Sequence, residues 1–209
     1  MRVEILALKK HSRLAQLFSK TTVLQTAGIV LLVLVALNLV SVRPVYAATY
    51  TVTKTADTND GVCDADCSLR EAIGAANASA GADTITFDPS LNGTPITLSI
   101  AGISEDANAT GDLDITGDLI LNGNGTTHTI ISGGGIDRVF NIRGGAVVEF
   151  NFITVQNGTI NNRGGGIWVE SSTLTVNDSL IRNNTSTSGP SGGGLFSTTG
   201  TVTINRSVF

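Results

Sequence analysis

The chain has 209 residues, of which 17 are acidic and 13 basic, and glycine alone occupies 24 positions while aromatics make up only 5%. A net charge of −4 makes nucleic acid a poor partner, because an acidic surface repels phosphate backbones. The length admits one domain with a real core, and a composition led by Gly, Thr, Asn and Ser builds either a disordered chain or many short strands with tight turns.

In chain order, Arg2, Lys9, Lys10, Arg13 and Lys20 precede an almost uncharged stretch from Thr21 to Val42, the order of an export signal. Val45-Tyr46-Ala47 places small residues at the two positions a signal peptidase reads, so cleavage is expected after Ala47. The alternative is an uncleaved membrane anchor, since Thr21 to Val42 is 22 residues and long enough to span a bilayer. Under both readings the positive flank keeps the N-terminus inside and everything after Ala47 outside. Without residues 1–47, seven basic and sixteen acidic side chains remain, a net charge of −9.

An acidic loop follows. Asp57, Asn59, Asp60, Asp64 and Asp66 crowd oxygen ligands into ten residues, a supply suited to calcium, the one cofactor the sequence raises as a candidate. The spacing falls one residue short of a calcium loop and lacks its closing Glu, so a solvated turn-forming cluster explains it equally well. Cys63 and Cys67 are the only cysteines, and outside the cytoplasm such a pair most often forms a disulfide. A zinc site is the alternative, for which only His128 adds a histidine beyond the leader. Ser68 and Glu71 form a Ser-x-x-Glu capping box, and Leu69, Ala72, Ile73 and Ala76 then share one face, which predicts a short helix closing the end of whatever follows.

The string Cys67-Ser68-Leu69-Arg70-Glu71-Ala72-Ile73, with the Asp-rich lead and the downstream Asp83-Thr84-Ile85-Thr86-Phe87, resembles the motif of the CSLREA domain. That domain stands after the signal peptide in exported bacterial proteins that continue into repeats. The resemblance covers roughly residues 49–87 and implies export and a β-helical fold. It carries no catalytic residues to transfer.

Short strands are predicted at Thr84 to Phe87, Ile96 to Leu98, Leu113 to Ile115, Leu119 to Leu121 and Thr129 to Ile131. Three later segments align: Val147 to Val155, Thr173 to Ile181 and Thr201 to Phe209, with Asn151, Asn177 and Asn205 in steps of 26 and 28 residues. Asn122 extends the series one step upstream. GGGI at Gly164 to Ile167 and GGGL at Gly192 to Leu195 keep the same frame, and they are similar to the Gly-Gly-Ala-Ile repeats of polymorphic outer-membrane proteins and adhesins, with a third Gly in place of Ala. Alternation within the units sends every second side chain inward, and Gly and Asn are expected at the corners because they tolerate positive φ. The fold expected is all-β: a right-handed parallel β-helix of the pectate-lyase-like kind, with the short helix as its N-terminal cap. The boundaries are residues 1–47 for the leader, 48–83 for the cap and 84–209 for the coils. Phe209 falls inside a repeat strand, so the sequence reads as the opening part of a longer solenoid.

Catalysis is tested by the carboxylates. Asp112, Asp114 and Asp118 lie close in sequence, and Asp137-Arg138 with Arg143 is placed to sit one coil further along the same face. Glycoside hydrolysis needs two carboxylates at a fixed separation, yet Asp beside Gly is ordinary turn chemistry and Trp168 is the only tryptophan. No catalytic residue is assigned. The function expected is an exported or cell-surface module contacting glycans or cell-envelope components, with the membrane engaged only through the N-terminal segment if that stays uncleaved. The alternative is the N-terminal part of a polysaccharide-active enzyme whose catalytic coils lie beyond Phe209.

Overall fold

Strand β1 (Thr49–Val52) leads through the acidic loop into helix α1 (Leu69–Ala78), and from there the chain winds in coils of three or four short strands. The computed structural model describes residues 47–103, 105–188 and 191–209; the leader or anchor expected in residues 1–46 lies outside them. Among the described residues no helix is long and apolar enough to cross a membrane.

The first coil contains β2 (Asp83–Phe87), β3 (Ile96–Thr97) and β4 (Leu113–Ile115), and the second β5 (Leu119–Asn122), β6 (Ile130–Ser132) and β7 (Phe140–Ile142). The third contains β8 (Val147–Asn151), β9 (Thr154–Gln156), β10 (Thr159–Ile160) and β11 (Ile167–Glu170). The fourth repeats it with β12 (Thr173–Asn177), β13 (Leu180–Arg182), β14 (Thr185–Ser186) and β15 (Leu195–Thr198), and β16 (Thr201–Asn205) follows. Each strand pairs in parallel with its counterpart one coil away. The result is a first sheet in the order β1-β2-β5-β8-β12-β16, a second β3-β6-β9-β13, a third β4-β7-β11-β15, and a small β10-β14 pair. This is an all-β parallel β-helix.

No strand of three to five residues buries enough alone; stacking solves this by aligning like with like. Ile85, Leu121, Phe150 and Val176 align inside the first sheet. Ile96, Ile131, Val155 and Ile181 align inside the second, and Leu113, Phe140 and Ile167 inside the third. All are buried, and each contributes about 1.5–3 kcal/mol of transfer free energy. Phe140 and Phe150 meet across the interior with ring centroids 4.8 Å apart.

Helix α1 packs against β1, β2 and β4 with Leu69, Ala72, Ile73 and Ala76 turned into the core, so it covers the interior of the first coil as expected. The expectation about the corners holds at Asn157 and Asn183 and at many glycines, which take positive φ, and is corrected only at the repeat asparagines. Asn151, Asn177 and Asn205 do not take positive φ; the residues after them do, Phe152 at 57°, Asp178 at 46° and Arg206 at 46°. The asparagines instead form a ladder through their side chains. The Asn151, Asn177 and Asn205 amides donate to the Asn122, Asn151 and Asn177 carbonyl oxygens, each at 2.8 Å. Satisfied amide pairs between coils outweigh the turn preference here. The GGG segments serve close approach: a Cβ on Gly165 would stand 2.5 Å from the Thr185 carbonyl oxygen.

Candidate functional site

The start of α1 organises the N-terminal region. Ser68 Oγ accepts from Glu71 N at 3.1 Å and Glu71 Oε2 from Ser68 N at 2.7 Å, completing the expected capping box. Glu71 Oε1 also accepts from Thr58 Oγ1 at 2.8 Å and Asp60 N at 3.3 Å, with Lys54 Nζ 3.5 Å from Oε2. Burial pushes the Glu71 carboxyl up, but the Ser68, Thr58 and Asp60 donors with Lys54 together hold it below its ordinary value. Cys63 and Cys67 form the disulfide, and Cys67 exchanges backbone and hydroxyl hydrogen bonds with Thr53 at the end of β1.

Arg70 is the residue the sequence did not single out. Its guanidinium is buried and forks onto Asp57, Nε to Oδ1 at 2.7 Å and Nη2 to Oδ2 at 3.2 Å. Its other donors reach the carbonyls of Asp112 at 3.0 Å and Gly111 at 2.8 Å. Asp57 Oδ2 also accepts from Ser99 N and Ile100 N at 2.8 and 3.0 Å. Arg70 and Asp57 thus tie the helix, the acidic loop and both ends of the long β3–β4 connection into one network. The one signal in the sequence was spacing: Arg70 stands three residues before Ile73, on the inward side of the helix.

This network explains the fate of the five oxygen ligands considered for calcium. Asp57 is consumed by Arg70. Asp60 and Asp64 cap their own turns, accepting from Val62 N and Asp66 N, each at 2.9 Å. Asp66 lies 3.1 Å from Lys54 Nζ, and Asn59 donates to the Asn108 carbonyl. Among the described residues no three or more acidic, His or Cys side chains gather as a metal site.

The carboxylates considered for catalysis divide. Asp118 turns toward the first sheet and accepts from Val147 N at 2.8 Å. Asp112, Asp114, Asp137, Arg138 and Arg143 do converge, on the outer face of the third sheet. Register stacks Asp114, Asn141, Trp168 and Phe196 in one outward column, and the β3–β4 connection brings Glu105 and Asp106 over it. Arg143 pairs with Asp106. A cavity of about 200 Å³ opens between Glu105, Asp106, Asp112, Asp137, Arg138 and Trp168. Arg138 Nε approaches Asp112 Oδ2 at 2.7 Å as a charge contact without hydrogen-bond alignment, and its guanidinium lies 4.8 Å from the Trp168 ring centroid.

Burial, with the charges of Asp114 and Asp137 beside it, pushes the Asp112 carboxyl up to about 8 despite Arg138. Burial also lifts Asp114, to about 6, helped by the charges of Glu105 and Asp106, and burial raises Asp137. A carboxyl that keeps its proton near neutrality is what a general acid requires. The partners argue for another role. Asp114 accepts from Asn108 N at 3.0 Å and Asn141 Nδ2 at 3.2 Å, and Asn108 Nδ2 donates to the Arg70 carbonyl at 2.8 Å, so these groups fasten the β3–β4 connection to the coils. Arg138 covers one face of the Trp168 ring. Comparison with known protein families, curated proteins and solved structures finds no match.

Proposed function

We propose that the chain is an exported, cell-surface β-helical module that contacts glycans or other envelope polymers and does not itself catalyse a reaction. The observation that carries this is the outer face of the first sheet, where Thr175 and Thr203 stack beyond Ile120 and Glu149 in one row and Asn122, Asn151, Asn177 and Asn205 align in the next. Rows of hydroxyl and amide groups repeat at the strand spacing of about 4.8 Å and offer donors and acceptors to an extended polymer rich in hydroxyls. The basic-apolar order of residues 1–47, the likeness of Cys67 to Ile73 to the CSLREA motif, and a disulfide suited to an oxidising compartment support export.

The test is co-sedimentation of the purified protein with insoluble glycans and bacterial envelope preparations. Binding is expected, and replacing both Thr175 and Thr203 with Val is expected to weaken it about tenfold, the worth of one or two net hydrogen bonds. No binding to any of these polymers overturns the proposal. The raised Asp112 carboxyl favours a second reading, a polysaccharide-active β-helix in which Asp112 itself serves as a proton donor. Release of reducing or unsaturated ends from pectin, alginate or glucans would establish that reading instead.

A further inference from the structure

Ala48 enters the first sheet one residue ahead of β1. Its carbonyl accepts from Thr84 N at 2.8 Å, and its N–H donates to Asp83 Oδ1 at 2.6 Å. Asp83 is completely buried at 0% exposure. Ser79 Oγ also reaches Oδ1, at 3.3 Å, whereas Oδ2 is buried without a hydrogen-bond partner. Among the described residues no Lys or Arg nitrogen lies within ion-pair distance of Asp83. Asp57, Glu71 and Asp112, by contrast, each have a cation beside them: Arg70, Lys54 and Arg138. A buried carboxylate with neutral donors on one oxygen and none on the other is strongly penalised unless a positive charge reaches it.

We propose that hydrolysis of the Ala47–Ala48 peptide bond supplies that charge, and that the new N-terminus of Ala48 locks into the first sheet by pairing with Asp83. Water adds across the bond under an endopeptidase that reads the small side chains of Val45 and Ala47. Ala47 leaves with the leader as a carboxylate, and Ala48 keeps the nitrogen as an α-ammonium with three protons in place of one amide proton. The atom that donates to Asp83 in the uncut chain thereby becomes a full positive charge where the structure already holds it. The β1–β2 register sets this position, since Thr49 pairs with Thr84 directly after it. Processing then does more than release the leader: it neutralises a completely buried carboxylate that, unlike the equally buried Asp114, has one oxygen without a hydrogen-bond donor, and it fastens the first strand. This inference rests on the reading of the chain as exported and cut after Ala47, and adds which residue receives the new terminus.

The test uses the full chain expressed in an exporting bacterium. The exported product, sequenced from its N-terminus, is expected to begin at Ala48. A second full chain carries one Ser inserted between Ala47 and Ala48, and both are also made with Asp83→Asn. One added residue displaces the ammonium by about 3.3–3.6 Å, so the inserted product is expected to melt about 2–4 °C lower, the scale of a modest charge contact in a domain of this size. In the Asp83→Asn background the insertion is expected to make no such difference. A readout that needs no substitution is labelling of the α-amine by an amine-selective aldehyde, expected to be about tenfold slower in the folded than in the unfolded product, the effect of one pKa unit. A product beginning elsewhere, equal melting losses in both backgrounds, or equal labelling rates folded and unfolded each overturn the pairing and leave export standing. A chain that reaches the outside with residues 1–47 still attached also overturns it. A chain that stays in the cytoplasm overturns the export reading as well.

Discussion

At Arg70 a guanidinium with 0% side-chain exposure faces an Asp57 carboxylate with 1%, a pair taken wholly out of water. Such a pair adds little net stability over apolar residues, but removing one partner strands the other charge. Arg70→Met is therefore expected to cost about 3–5 kcal/mol in urea unfolding, and adding Asp57→Asn should recover most of that; no recovery would place the cost in packing alone. The helix around Arg70 was legible in the sequence, because a capping box and an apolar face are local patterns. The pair was not. Asp57 lies 13 residues back, and the two carbonyls Arg70 reaches lie 41 and 42 residues ahead. The same distance effect left the acidic loop open between a calcium supply and a turn-forming cluster, and its crowded oxygens become separate caps and ion pairs in space.

Among the elements, the Asn ladder shows how stacked coils use one position. Asn177 donates to Asn151 and to Glu149 Oε1 and accepts from Asn205, so Asn177→Ala interrupts the series between two coils. The expected loss is about 1–3 kcal/mol at about 1 kcal/mol per net hydrogen bond, read as a lower melting temperature. An unchanged melting temperature would mean that water replaces the amide without cost. The ladder's positions, including Asn122, were legible as a repeated letter in a repeated frame. Its chemistry was misread as turn geometry because an isolated Asn reports its own backbone preference and not the amide stacked above it. Strands β7 and β11 escaped notice for a related reason. Phe140-Asn141-Ile142 has the pattern of Leu113-Asp114-Ile115 but no repeated marker beside it, and Ile167 counted only as the end of a glycine marker until the register aligns β11 with β7 and β15.

Over the whole molecule, the buried carboxyls set the direction in which stability changes with pH. Asp112 at about 8 and Asp114 at about 6 both stand above the ordinary 3.8, so the folded chain holds these protons more tightly than the unfolded one. Their contribution is fully present below pH of about 4 and is lost as pH rises toward about 8. Melting temperature is expected to fall across that interval, and Asp112→Asn is expected to flatten the upper part of the slope; an unaltered slope would assign the titration to other groups. Glu71 acts in the opposite sense, since its lowered value gives stability that is lost as the medium becomes acidic.

The sequence by itself determined the coiled architecture, because the 26- and 28-residue steps and the two-residue alternation are one-dimensional records of stacking and of inward-facing side chains. It also determined the cap, whose helix start and disulfide involve residues four apart or fewer. Only the tertiary structure decided which charges meet. The pairing of Arg70 with Asp57, the gathering of Asp112 and Asp137 around Arg138, and the contact of Ala48 with Asp83 all join residues brought together by coil register and by the path of the β3–β4 connection. Electrostatic contacts depend on distances of a few ångströms, which neither composition nor spacing records.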